Sequence, residues 1–460
     1  MGALRKSAVA IVLARDAGGA LRVLIGRRHP DLRLLGGYFA FPGGGIEPGD
    51  GDPATEAEEV VLRRTAAREL AEETGVRVAP DAFEPAGRRV TPPFMPVRFD
   101  SLMFVAQLDE PIPIDPSVAG ELLDIHWTSA RALRDEWRDL AVRVAPPLIP
   151  ILQELADAET ESLAEIAARL RAVNELMEAD GPRIEFVPDV LMMPLPTPTL
   201  PPATTTNCYW VGSSEFVLID PGSADAQSCA RLLRHVRRRE AEGGRAKAVV
   251  LTHHHLDHVG GARAVARELD VPVLAHPLTW RALGPWDVSR GDLEDGDVLE
   301  LAGGERLEIL HTPGHAPGHV ALLERRRGSL FAGDLVSGVS TILVDSAPGS
   351  LDEYLASLER IRDAGAKTLF PAHGPPMIDP AADVQRVLEH RARREAQILD
   401  AVGSATSIVD IVREAYADTP RADPALAASQ ATSHLARLER LGKVRREGAG
   451  WSRTAGGAEA

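Results

Sequence analysis

Apolar residues come in short runs along this chain, bounded by Gly, Pro, Asp and Ser, with a few longer stretches of helical spacing between them. Ala8 to Leu13 and Leu21 to Ile25 read as strands and Gly36 to Asp52 as a loop. Glu58 to Thr74 reads as a helix that Gly75 stops. A second helical pattern, Leu163 to Glu178, ends at Asp180-Gly181-Pro182, a boundary signal. The stretch from Pro188 to Pro202 holds six prolines and reads as the entry to a second domain, because Cys208 to Val211 and Phe216 to Ile219 follow as a strand pair around Gly212-Ser213-Ser214. Short strands then alternate with helical patterns: Ala248 to Leu251, Val271 to Ala275, Leu307 to Leu310, Val320 to Leu323, Ser329 to Phe331 and Thr368 to Phe370. That order predicts layered α/β structure. The tail reads as three helices, the last from Ala425 to Leu441, and two short strands around Gly448-Ala449-Gly450. Three domains are expected, at residues 1–180, 184–380 and 385–455, in an α/β multidomain chain.

Composition narrows the class. With 460 residues, 44% of them hydrophobic and 26% charged, the chain has the make-up of ordinary globular domains, which excludes disorder, collagen and coiled coil. No apolar run approaches the roughly 20 residues of a bilayer span, and no signal-peptide pattern opens the chain. The two cysteines, Cys208 and Cys229, are too few for a disulfide framework or a thiolate metal cage, so a reducing cytoplasm is the expected location. The formal charge of -16 is shared by the first two domains, while the tail is only weakly basic. Extended nucleic acid is therefore not the favoured partner. Nothing in the sequence sets an oligomeric state. Histidine is the uneven residue: nine of 14 lie between His253 and His373.

Within the first helix, Glu69, Glu72 and Glu73 stand at i, i+3 and i+4, so three carboxylates share one face. Like charges at that spacing cost helix stability unless a cation lies between them, and oxygen-rich clusters suit Mg²⁺ or Mn²⁺. A glycine loop, Phe41-Pro42-Gly43-Gly44-Gly45-Ile46-Glu47-Pro48-Gly49-Asp50, precedes the helix. Gly44 and the run from Arg68 to Val76 resemble the Nudix box. Asp50 replaces the first glutamate of the box, and 17 residues rather than seven separate it from Arg68. The resemblance implies an α/β/α sandwich that hydrolyses a nucleoside diphosphate linked to another group. It makes Glu69, Glu72 and Glu73 the Mg²⁺ or Mn²⁺ ligands, with a base among them and Arg68 orienting them. Arg27, Arg33, Gly37 and Phe41 to Gly44 further resemble the signature of the coenzyme A diphosphatases of that family, although Arg28-His29 stand where it has small residues. Arg27, Arg33, Gly43 and Gly44 are the substrate-binding positions this implies; guanidinium groups match phosphate through paired hydrogen bonds.

The histidines form a second constellation. Thr252-His253-His254-His255-Leu256-Asp257-His258 follows one expected strand; Thr312-Pro313-Gly314-His315, Ala332-Gly333-Asp334 and Pro371-Ala372-His373-Gly374 follow others. Each donor lies just past a strand, where α/β sheets present functional loops. Together with Asp220-Pro221-Gly222, this order resembles the metallo-β-lactamase superfamily, most closely its glyoxalase II-like branch. The resemblance implies an αββα sandwich with His253, His255 and His315 on one metal, Asp257, His258 and His373 on the other, and Asp334 between them. Two Zn²⁺ are expected, with Fe or Mn compatible with the same donors. Such ions lower the pKa of bound water toward 7, and Asp257 takes a catalytic as well as a ligand role. His254 is expected to point away from the metals, and His311 and His319 to be supporting residues.

The tail resembles the small winged helix that closes a subgroup of these proteins, the one like the animal β-lactamase-like 2 endoribonuclease. Its weak charge favours a packing role beside the metal cleft over nucleic-acid binding. Acyl groups and phosphodiesters both remain feasible substrates of the second domain. The coenzyme A-like signature on the same chain tilts the choice toward an acyl thioester and, more broadly, small anionic or acyl-carrying substrates. Two other readings stand beside it: a single-stranded RNA endonuclease whose Nudix domain binds a nucleotide, and a chain in which one head is inactive and serves only as a ligand-binding module.

Overall fold

The computed structural model describes residues 4–32, 35–95, 97–114, 120–181, 184–344, 347 and 349–454. It forms two compact units, residues 1–193 and 194–460, with the division inside the strand Val190–Pro196. The tail is part of the second unit.

In the first unit the strands Phe39–Ala40, Leu21–Arg28, Leu4–Arg15, Arg98–Leu108 and Glu84–Val90 lie side by side in that order. Gly43–Gly45 pairs with Leu4–Arg15, and Leu122–Thr128 with Leu21–Arg28. Leu4–Arg15 runs parallel to Arg98–Leu108 from Leu4 opposite Arg98 to Ala14 opposite Leu108. Strand alternation puts Ala8, Ala10 and Val12 on one face, and a four-residue helical spacing puts Leu62, Ala66 and Leu70 against it; Phe83 and Phe104 complete this core. The helix spans Glu58–Thr74 and ends on Gly75 in the left-handed conformation (φ 74°), as the sequence predicts. Packing its apolar stripe on the sheet turns Glu69 and Glu73 toward Gly43–Gly45. The second expected helix runs over Leu163–Asp180.

The second unit holds two large sheets and one two-stranded sheet among its described residues. One large sheet contains Arg290–Asp292, Val273–Ala275, Arg245–Val250, Glu215–Ile219 and Thr205–Val211 in that order, continuing to Val190–Pro196; the other contains Val298–Glu300, Arg306–His311, Val320–Glu324, Ser329–Gly333 and Thr368–Pro371. Tyr209 from the first sheet meets Phe331 and Phe370 from the second at 5.3 and 5.5 Å between ring centres. On the outer face of the second sheet, Tyr354, Leu358 and Ile361 of the helix Ser350–Arg362 cover Leu323, Leu330 and Leu369. The layers are thus helix, sheet, sheet, helix. The tail comprises Pro380–Ala401, Ile408–Ala415, Pro424–Arg440 and the hairpin Val444–Glu447 with Gly450–Arg453. Ile398, Ile411, Leu435, Leu438 and Trp451 form its core.

Candidate metal centres

Every expected donor of the second unit sits where a strand stops. His253 and His255 lie in the turn after Arg245–Val250, and Asp257 and His258 in the short helix Leu256–Val259 that His255 opens. The turn packs tightly: a Cβ on Gly222 would lie 1.7 Å from the Asp257 carbonyl oxygen, so glycine is required there. His315, Asp334 and His373 follow Arg306–His311, Ser329–Gly333 and Thr368–Pro371.

These loops bring the donors together as two sets, His253, His255, His315 and Asp334, and Asp257, His258 and His373, with ligand atoms inside each set no more than 4.8 Å apart. Asp334 faces both. Its Oδ2 is 3.4 Å from His315 Nε2, while its Oδ1 is 3.5 Å from His258 Nε2 and 3.3 Å from His373 Nε2. His373 Nε2 is also 3.4 Å from Asp257 Oδ2. His258 Nε2, His373 Nε2 and Asp334 Oδ1 are buried without a hydrogen-bond partner among the described residues, an arrangement that costs free energy unless a cation is shared between them. The residues therefore fit a pair of metal ions, and a nitrogen and oxygen donor set without sulfur suits Zn, Fe or Mn.

The rings are held from behind. Asp220, in a left-handed conformation (φ 50°) at the end of Glu215–Ile219, accepts from Thr252 N at 2.8 Å and from Thr252 Oγ1 at 2.6 Å. The same carboxylate accepts from His258 Nδ1 at 2.8 Å. His315 Nδ1 donates to the Leu343 carbonyl at 2.6 Å and His373 Nδ1 to the Thr205 carbonyl at 2.9 Å, which leaves both Nε2 atoms facing inward. His319 Nε2 accepts the Asp334 amide at 3.0 Å, the supporting role expected of it. Of the remaining histidines, His254 stays outside both sets, and His311 stacks on His276 at 4.2 Å. Sequence reasoning noted the motif at Asp220 but did not give that residue a site role.

Burial drives His253 well below the usual imidazole range and His255 down to about 4, so both are neutral and ready to ligate. Burial acts in the same direction on His258 and His373, but the carboxylates around them together outweigh it, Asp334 with Asp220 for His258 and Asp334 with Asp257 for His373; His258 is raised and His373 reaches about 9.

The first unit gathers its carboxylates less completely. Glu73, 7% exposed, accepts from Gly43 N at 2.9 Å, and burial pushes its pKa up to about 7. Glu69 lies against Gly44, where an added Cβ would be 2.2 Å from Glu69 Oε1. Glu72, 57% exposed, is drawn to Arg68 Nη1 at 2.8 Å. Among the described residues the close donor sets are the two of the second unit, while Glu69 and Glu72 both meet Arg68 Nη1, at 3.1 and 2.8 Å, and Glu73 turns to Gly43 N. Arg68 does orient them, and it also explains the altered box. Asp50, in the turn Pro48–Asp50, accepts from Arg68 Nε at 3.0 Å and Nη2 at 2.9 Å. Of the 17 residues between Asp50 and Arg68, residues 51–57 form a loop and residues 58–67 belong to the helix.

Gly43, Gly44, Arg28, Glu69 and Glu73 line a cleft of about 1160 Å³. Arg27 is outside that lining and pairs with Asp124 at 2.6 Å. Neighbouring residues of a strand project to opposite sides, so Arg28 takes the place expected of Arg27. Arg33 lies outside the described residues.

The sequence model of the NUDIX domain matches residues 4–149, that of the metallo-beta-lactamase superfamily residues 201–373, and that of the beta-lactamase associated winged helix domain residues 407–451. The "Beta-lactamase-like protein 2 homolog" of Drosophila melanogaster is 30% identical over 259 residues, covering 52% of this chain and 84% of that protein. The "Atrochrysone carboxyl ACP thioesterase" of Aspergillus chevalieri is 32% identical over 244 residues, covering 50% and 72%. The crystal structure of a beta-lactamase domain protein from Burkholderia ambifaria superposes with a TM-score of 0.54 over 60% of this chain and 94% of its own, at 20% identity, a likeness of fold. The chain belongs to the metallo-β-lactamase superfamily, as a metal-dependent hydrolase with a Nudix domain before that fold and its associated winged helix after it.

Proposed function

We propose that the two heads act on small anionic or acyl-carrying molecules: the second hydrolyses an ester or thioester such as acyl-CoA, and the first cleaves a nucleoside diphosphate linkage, with CoA or acyl-CoA as the favoured substrate. The observation that carries this reading is the cleft of the first unit. Its lining includes the glycine loop, Glu69, Glu73 and Arg28, suited to a diphosphate and its cations, and Phe94, Phe99, Met103 and Phe186, apolar surface for the rest of the ligand. For the second head, a relative named as an acyl carrier protein thioesterase supports the same class of bond.

Bound Zn²⁺, Fe or Mn in the second unit, and Mg²⁺ or Mn²⁺ in the first, would supply Lewis acidity and make water a nucleophile near neutral pH. The chain's own part is orientation. Asp220, Leu343 and Thr205 hold one nitrogen of His258, His315 and His373 so that the other faces the centre, and Asp334 offers one oxygen to each set. In the first unit Glu73, with a pKa near 7, is able to take or return a proton at physiological pH. Three arginines of the tail support the packing role over RNA binding: Arg437 pairs with Asp352 and Glu395, Arg440 with Asp352, and Arg445 with Glu447.

The test is a panel of acyl-CoA, free CoA, ADP-ribose and single-stranded RNA against the wild type, Glu69→Gln/Glu73→Gln and Asp257→Ala/His258→Ala. Thioester hydrolysis lost only in the last variant and diphosphate hydrolysis lost only in the glutamate variant are the expected results. RNA cleavage lost in the last variant, with acyl-CoA untouched by the wild type, overturns the proposal in favour of an endonuclease.

A further inference from the structure

The winged-helix region touches the first donor set through one short piece of backbone. Gln430 and Ser433, on the helix Pro424–Arg440, and Arg391, on Pro380–Ala401, are all buried and aimed at Ile342–Val344. Gln430 Nε2 donates to the Val344 carbonyl at 3.0 Å, and its Oε1 accepts from Val344 N at 3.2 Å. Ser433 Oγ lies 3.3 Å from the same carbonyl and 3.2 Å from the Ser429 carbonyl, the two acceptors that share its one proton. Arg391 donates to the Ile342 carbonyl and, at 3.2 Å, to Gln430 Oε1, with its guanidinium 5.0 Å over the Tyr354 ring. Between these two gripped residues lies Leu343, whose carbonyl accepts from His315 Nδ1 at 2.6 Å.

Val344 N–H belongs to the same planar peptide group as the Leu343 carbonyl, so the Gln430 Oε1 that accepts from it also fixes the plane of that carbonyl. The bonds to the Val344 and Ile342 carbonyls hold the peptide groups on either side, so the Leu343 carbonyl is held in direction. That carbonyl determines which nitrogen of His315 carries the proton and where Nε2 points. The buried guanidinium of Arg391 is an expensive group to keep out of water, and it is employed here on a carbonyl and a side-chain amide.

We infer that the winged-helix region is a positioning element of the metal centre: through Gln430, Ser433 and Arg391 it holds the Leu343 carbonyl that orients His315. The inference rests on the binuclear reading of the donor sets. It gives the tail a function that its ion-paired arginines do not.

The experiment uses the full chain stripped of metal with a chelator and titrated with Co²⁺, followed by visible absorption. The variants are Gln430→Ala, Ser433→Ala as a lighter change, and Trp451→Ala as a change in the tail core away from the gripped segment; His373→Ala identifies the equivalent that belongs to the His315 set. Gln430→Ala is expected to weaken that equivalent by about 10-fold or more and to change its absorption, while the other equivalent and the far-ultraviolet circular dichroism stay as in the wild type. Wild-type affinity for both equivalents in Gln430→Ala overturns the inference. So does Trp451→Ala weakening the same equivalent as much. Should Gln430→Ala fail to fold, Ser433→Ala is judged by the same criterion, with a smaller shift expected. A wild type that takes up fewer than two Co²⁺ in the second unit overturns the binuclear reading itself, a result distinct from either.

Discussion

The two heads solve the same problem, holding negative oxygen or neutral nitrogen donors around cations, with different amounts of help from the rest of the chain. In the second unit the donors come from four loops, and the rings of His258, His315 and His373 are each tied by a group remote in sequence, as when His373 Nδ1 bonds the Thr205 carbonyl 168 residues away. The inward atoms are therefore aligned by the protein alone. In the first unit Glu69, Glu72 and Glu73 come from one helix, and their mutual repulsion is relieved by Arg68 Nη1, which meets both Glu69 and Glu72, and by Gly43 N for Glu73. A site built from distant loops is organised before its ion arrives, whereas a site built from one helix face awaits the ion to complete it.

The comparison breaks most readily at the second head. Asp257→Ala/His258→Ala is expected to lower thioester hydrolysis by about 10²–10³-fold or more, with loss of one metal equivalent, while diphosphate hydrolysis by the same sample is unchanged. Parallel assays and metal analysis check it; equal loss in both assays would mean that the heads are not independent.

Glu73→Gln separates stability from activity at the first head. It is expected to cost about 10²-fold or more in Mg²⁺-dependent hydrolysis. Glu73 has a folded-state pKa of about 7, above its unfolded value, so the native state holds a proton there that the unfolded chain releases at lower pH. Its contribution to stability is accordingly full below the unfolded pKa and lost as pH rises toward and past 7. The metal-free variant should then be more stable than the wild type above pH 7, by about 1–3 kcal/mol, and nearly equal to it at pH 4 to 5. Thermal melts at pH 5 and pH 8 give the sign; a wild type the more stable at pH 8 would show that the buried carboxyl is not under strain.

Asp220→Asn keeps the shape behind His258 and removes the charge. A drop of about 10- to 100-fold in affinity at the Asp257, His258 and His373 set is expected, measured by competition with a chromophoric chelator. Smallest of all is Arg27→Ala, in which an exposed pair with Asp124 is broken: a change below about threefold in kcat/KM for the diphosphate substrate is expected, against 10-fold or more for Arg28→Ala. Equal losses for the two would return Arg27 to the binding role its sequence context suggests.

Much of the architecture was readable because it is written in local periodicity. The helix Glu58–Thr74 has its observed limits in the sequence, since an apolar spacing of four and a terminal glycine are short-range signals. Strand ends followed by His or Asp located all seven donors of the second unit. Other features were not readable. The expected loop from Gly36 to Asp52 contains the strand Gly43–Gly45, whose pairing with Leu4–Arg15 depends on residues more than 30 positions away and on no side-chain pattern of its own. Likewise Arg27 and Arg28 are chemically equal until the sheet assigns them to opposite sides.

By itself, then, the amino-acid order determined the element types, the two donor alphabets and the families they belong to, because these depend on residue identity and near-neighbour spacing. Only the tertiary structure decided which nitrogen of each histidine faces the centre, that Asp50 seats Arg68, that Glu69 and Glu72 share Arg68 while Glu73 turns to Gly43, and that the tail reaches His315 through Ile342–Val344. The physical reason is common to all four. Hydrogen bonds of 2.6–3.0 Å fix orientation, and the partners that make them are brought together by folding from positions as much as 168 residues apart, where no local pattern records the pairing.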